Sequence, residues 1–198
     1  MKSKIFIALK VLLVMTILTG IAYPLLITGI AQLAFPTKAN GSFIMKDSVT
    51  IGSELIGQNF DSDIYFWSRP SAIEYNPMPS GGSNYGPTSQ VLKKLVTQRK
   101  SKFIKENMLK DTVSLPAEML TASASGLDPH ISPKAALLQV DRIAKARRFS
   151  SSQKQQLVDL IHRKTEKMQF SLLGEPRINV LILNIELNKL DQNITYNK

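Results

Sequence analysis

The sequence predicts an α+β protein, with one N-terminal transmembrane helix followed by a single mixed soluble domain. Three observations carry this. Between Lys10 and Lys38 lie 27 residues without a charge, VLLVMTILTGIAYPLLITGIAQLAFPT. Later segments place apolar residues at helical spacing behind good N-caps, and short β-prone runs stand between and after them. The order of short strands, helix, loop, two helices and strand is that of an α+β domain.

The uncharged run comes first. About 20 apolar residues at ~1.5 Å each cross a hydrocarbon core of about 30 Å. A secretory signal would have a shorter apolar region ending in a small-x-small site. Gly20-Ile21-Ala22 matches that poorly, and the apolar pattern resumes at Leu25. The run therefore reads as a retained anchor over 11–34. Pro24 removes a backbone donor and predicts a kink. Gly20 and Gly29 permit close helix approach, and with Pro24 and Gln32 they form a candidate helix-docking surface. Lys2, Lys4 and Lys10 keep residues 1–10 in the cytoplasm, because short basic flanks are retained there. Residues 35–198 are then extracytoplasmic, and the protein is single-pass in the cytoplasmic membrane.

Phe35-Pro36 closes the membrane helix, and Ala39–Ser42 reads as a turn. Val49–Ile51, Glu54–Gly57 and Ile64–Trp67 are predicted strands. Ser68–Pro87 is a long irregular stretch with Gly81-Gly82, of a length often tied to function. Thr88 caps a helix to about Asn107, with Leu92, Leu95, Val96 and Phe103 as its apolar stripe. Five lysines make that helix basic. Ser132-Pro133 starts a helix that ends at Arg147-Arg148, and another follows Ser151 or Ser152. After the turn at Gly174–Pro176, Ile178–Asn184 reads as the best strand of the chain and as central.

Composition excludes several classes. There is no cysteine, so neither disulfides nor thiolate-bound metal are available. No metal-binding or serine-hydrolase motif involves the two histidines, His130 and His162. From Lys38 onward lie 22 of the 25 basic residues and all 15 acidic ones, a net charge of +7. That suits anionic lipid or an acidic partner and is too diffuse for nucleic acid. Ser80–Asn84 has backbone amides fit to cradle an anion, but it lacks the lysine-hydroxyl end of a phosphate-binding loop. The densest constellation is Ser123–Pro133, with Ser123, Ser125, Asp128, His130 and Ser132 running into a helix start. No base is placed to activate a serine, and capping of turn and helix by Asp128 and Ser132 explains the same residues.

These segments resemble the C subunit of the Kdp high-affinity potassium-transporting ATPase. The resemblance spans nearly the whole chain. It runs through TGIAYPLLITGIAQLAFPTKANGS at 19–42, GSELIGQNF at 52–60 and YFWSRPSA at 65–72. It continues in SGGSNYGPT at 80–88, TASASGLDPHISPKAALLQVDRIAKAR at 121–147 and GEPRINVLILN at 174–184. It implies a non-catalytic accessory subunit beside a potassium-selective channel-like subunit, a P-type ATPase subunit and a small single-helix subunit. It also implies a catalytic chaperone that raises the ATP affinity of the ATPase subunit through a transient ternary complex, with no tightly bound cofactor. A serine-glycine segment plus a glutamine is likened in that family to a nucleotide-binding signature, which points to Ser123, Ser125, Gly126 and Gln139. Topology opposes this, because ATP is on the cytoplasmic side. A membrane-anchored extracytoplasmic hydrolase using Ser125, Asp128 and His130 is the alternative from another class, and a solute-binding module is a third.

Overall fold

The computed structural model describes residues 2–46 and 48–190. The chain divides into two compact units, Met1–Ser53 and Glu54–Lys198. The β-hairpin after the helix belongs with the first unit.

In the first unit a helical stretch runs over Ser3–Ala34 with no buried position. It comprises α1 (Lys2–Ile17), a π-helical turn over Leu18–Ala22, and α2 (Tyr23–Ala34). The π turn lies just ahead of Pro24. The Tyr23 N–H reaches back to the Leu18 carbonyl. Pro24 has no N–H to give and its ring crowds the preceding turn, so a widened turn is the local solution. Phe35 leaves helical geometry before the short α3 (Pro36–Ala39). An antiparallel hairpin follows, β1 (Phe43–Lys46) with β2 (Val49–Ser53), pairing Phe43 with Ser53 and Lys46 with Val49. A bulge interrupts the register between Ile44 and Met45.

The second unit is built on α4 (Gln90–Glu106), α5 (Pro133–Leu137), α6 (Val140–Ala146), α7 (Ser151–Lys164) and α8 (Val180–Leu190). A two-stranded antiparallel ladder joins β3 (His130–Ile131) to β4 (Ile178–Asn179). Ser132 caps α5 as expected, with Pro133 in its first turn. The cap of α4 is Ser89, one residue after the expected Thr88, and that of α7 is Ser150, one residue ahead of the expected start, in a full capping box with Gln153. Leu157, Leu160 and Ile161 of α7 are buried, and α7 packs on α5, α6 and α8. The core also takes Phe66, Trp67, Phe103, Met119, Ile143, Leu183 and Leu187.

Three expectations are corrected. Ile178–Asn184 is not a central strand. Only Ile178 and Asn179 pair, and the chain then turns into α8, because the Asn179 carboxamide oxygen accepts from the Ile182 N–H (3.1 Å) as a cap does. Neither Glu54–Gly57 nor Ile64–Trp67 is a strand. The helix from Ser132 is two helices, broken at Leu138-Gln139, and the break frees the Gln139 side chain for other work.

Candidate functional site

That work explains why Ile64–Trp67 lies extended without a strand partner. Its backbone is bonded by side chains. The Phe66 N–H donates to Asn184 Oδ1 (2.8 Å), and Asn184 Nδ2 donates back to the Phe66 carbonyl (3.0 Å). The Trp67 N–H donates to Gln139 Oε1 (2.7 Å). Arg142 donates to the carbonyls of Asp63 (2.6 Å) and Tyr65 (3.0 Å), to Gln139 Oε1 (2.8 Å) and to Asn107 Oδ1 (2.9 Å). Its guanidinium also stacks over Trp67, 4.1 Å from the ring centroid. Arg147 Nε donates to the Ile64 carbonyl (2.7 Å). Helices α6 and α8 thus supply a ladder from side chains, satisfying backbone groups that burial would otherwise orphan. Burial lowers the Arg142 pKa to about 10, so the side chain stays cationic at neutral pH.

This places Gln139. It is completely buried, its oxygen accepts from Trp67 and Arg142, and its nitrogen donates to the Ala135 carbonyl (3.2 Å). Both polar ends are committed to structure.

Ser123, Ser125 and Gly126 lie elsewhere, in a loop interlocked with the Ser80–Asn84 loop. The Ser125 carbonyl accepts from Gly81 N–H (3.1 Å) and from Ser80 Oγ (2.8 Å). A Cβ on Gly82 would sit 3.1 Å from the Ala124 carbonyl oxygen. Gly126 has φ +71°, and a Cβ there would fall 2.4 Å from Ile73. Ser125 Oγ accepts from the Leu127 N–H (3.1 Å), while the buried Ser123 Oγ has no partner. The glycines serve close loop packing.

Beside these loops is a cavity of about 470 Å³, lined by Arg69, Glu118, Asp128, His130, Lys167 and Arg177 among others. Arg69 Nη1 donates to Asp128 Oδ2 (2.6 Å), and His130 Nδ1 stands 3.4 Å from Asp128 Oδ1. The His130 N–H also donates to Asp128 Oδ1 (3.0 Å). Burial would raise the Asp128 pKa, but the bonds from His130 and Arg69 outweigh it and hold it at about 2. His130 faces Asp128, and no hydrogen bond joins it to Ser125 among the described residues. Arg69 and Arg142 were not singled out from sequence. A signal existed for Arg142, which is one helical step from Gln139 on the border of the apolar stripe.

On the anchor, Gly29 has open space around it, and Gly20 only the Thr16 methyl at 3.9 Å. Gln32 and Asn40 pair their carboxamides reciprocally at 3.1 and 3.3 Å.

Residues 5–189 match the family described as KdpC: K+-transporting ATPase, c chain. The chain belongs to this family. It is 48% identical over 186 residues to the potassium-transporting ATPase KdpC subunit of Methylococcus capsulatus, covering 92% of this chain and 96% of that one. The KdpC subunit of Geotalea uraniireducens is 48% identical over 189 residues, covering 93% and 97%. That of Dechloromonas aromatica is 44% identical over 195 residues, covering 97% and 100%. Membership makes the chain an accessory subunit of that ATPase rather than a free-standing enzyme. Its exposed apolar helix fits a membrane-anchored subunit of a transport complex.

Proposed function

We propose that the chain assembles or stabilises a high-affinity, ATP-driven potassium import complex whose catalytic centre lies in a P-type ATPase subunit. Its partners are that subunit, a potassium-selective channel-like subunit and a small single-helix subunit. The observation that carries the reading is the family match over residues 5–189 in a chain whose apolar helix has no cover of its own. Solubilising membranes and purifying on a tag at this chain tests it. Recovery of a P-type ATPase supports the reading, and recovery of this chain alone overturns it.

The finer role is a catalytic chaperone that raises the ATP affinity of the ATPase subunit. Lys2, Lys4 and Lys10 favour a cytoplasmic N-terminus and an extracytoplasmic domain. The sealed Gln139 also argues against a nucleotide contact there. We therefore propose that the effect on ATP passes through the assembled subunits rather than through ATP held by Ser123, Ser125, Gly126 and Gln139. A cysteine at Ser150, the only thiol in the chain, reads the orientation. Labelling by an impermeant thiol reagent in intact cells supports an outside domain, and protection overturns it.

A further inference from the structure

Between α7 and β4 the chain forms a small protruding hairpin. The Glu166 and Arg177 backbones pair, as do those of Gln169 and Leu173. Its tip is apolar and bare: Phe170 is 89% exposed, Leu172 84% and Leu173 60%, with Met168 also exposed. Phe170 and Ser171 both adopt left-handed backbone, at φ 53° and 60°. That conformation is disfavoured for a phenylalanine, and here it holds the ring outward at the turn. A soluble surface rarely keeps so concentrated an apolar tip uncovered.

We infer that this hairpin dips into the interfacial region of the bilayer, Phe170 and Leu172 leading. Two further observations favour lipid as the occupant. Only the 19 residues from Phe35 to Ser53 separate the apolar helix from the second unit, so the tip meets lipid at high effective concentration. Arg163, in the last turn of α7, and Lys167, in the hairpin, are both exposed and have no acidic partner among the described residues. Their aliphatic stems and cationic heads suit headgroup phosphates, whereas lysine is depleted at protein interfaces. The inference rests on the anchor reading and is independent of which side the domain occupies.

The absence of native cysteine makes the test clean. The full chain, carrying a nitroxide at Phe170→Cys, is placed in nanodiscs of phosphatidylcholine and phosphatidylglycerol. Collision rates with oxygen and with a water-soluble nickel chelate are compared with those at Ser152→Cys, an exposed position in the first turn of α7. The ratio of oxygen to nickel collisions at 170 is expected several-fold above that at 152. Equal ratios place the tip in water and overturn the inference. Low collision with both reagents places it against protein and overturns it equally. Carbonate extraction of cell membranes holding the same variant checks the anchor separately. Retention with a water-like tip sinks the hairpin alone, and release sinks the anchor and the inference with it.

Discussion

Arg142 ties several segments of the second unit together. It is 4% exposed and bonds carbonyls, two carboxamides and a ring at once. Arg142→Ala would strand the Asp63 and Tyr65 carbonyls and half of the Gln139 and Asn107 network. Losing a buried charged donor of this kind costs about 3 kcal/mol or more. Urea unfolding of the detergent-solubilised chain should show that loss, and Arg142→Lys should recover only part of it, lacking the planar fork. Asp128 gives a pH-dependent counterpart. Its folded pKa, about 2, lies below the ordinary carboxylate value. The stability it contributes is therefore full at neutral pH and is lost as pH falls from about 4 through about 2. Comparing unfolding midpoints of the chain and of Asp128→Asn should give a constant gap above pH 5 that closes towards pH 2. A gap that widens on acidification would contradict the ion pair.

The caps and stripes of α4, α5 and α7 were legible, because Ser89, Ser132 and Ser150 bond the first turns locally, within three residues of their own position. The first two are adjacent to or at the expected starts. Failure came where tertiary bonding replaced local preference. Tyr65-Phe66-Trp67 has strand composition, but its partners are Gln139, Arg142 and Asn184, up to 118 residues away. Val180–Leu190 is rich in branched residues that fit strands, yet Val180, Leu183, Asn184 and Leu187 are buried at helical spacing. Asn184 at the centre of that stripe was the missed sign, since a buried carboxamide must be bonded. Of the candidate residues, Ser123–Gly126 were recognisable as a loop running into a capped helix start, but not their packing against the Ser80–Asn84 loop, which joins segments about 45 residues apart. Their interlock makes a sharp prediction. Gly126→Ala meets Ile73 and an unfavourable φ and should cost about 2 kcal/mol, whereas Gly81→Ala enters open space and should fall within about 0.5 kcal/mol. Thermal unfolding of the two variants separates them.

At the scale of the whole molecule, the two units divide the labour of a subunit. The second is closed by its own side-chain ladder. The first presents a helix of 32 residues, about 48 Å long, with no buried position. Lipid alone would satisfy it, because hydrocarbon covers apolar side chains as well as a neighbouring helix does. Small residues separate the two cases. Gly29 has nothing within 4 Å of where a Cβ would stand. Gly29→Leu should therefore leave the unfolding of the chain unchanged. If Gly29 faces lipid, the added side chain should leave recovery of the complex unchanged too. If it lies where another helix approaches, the leucine blocks van der Waals contact over a full turn. Recovery of the P-type ATPase on a tagged chain should then fall several-fold. Family membership requires partners, and Gln32, one turn beyond Gly29, has its carboxamide satisfied by Asn40. Packing around the glycine is then what remains to hold a neighbour at this end, so the expected outcome is lost recovery with an intact fold. Full recovery would make the helix an anchor only and move the assembly contacts to the second unit.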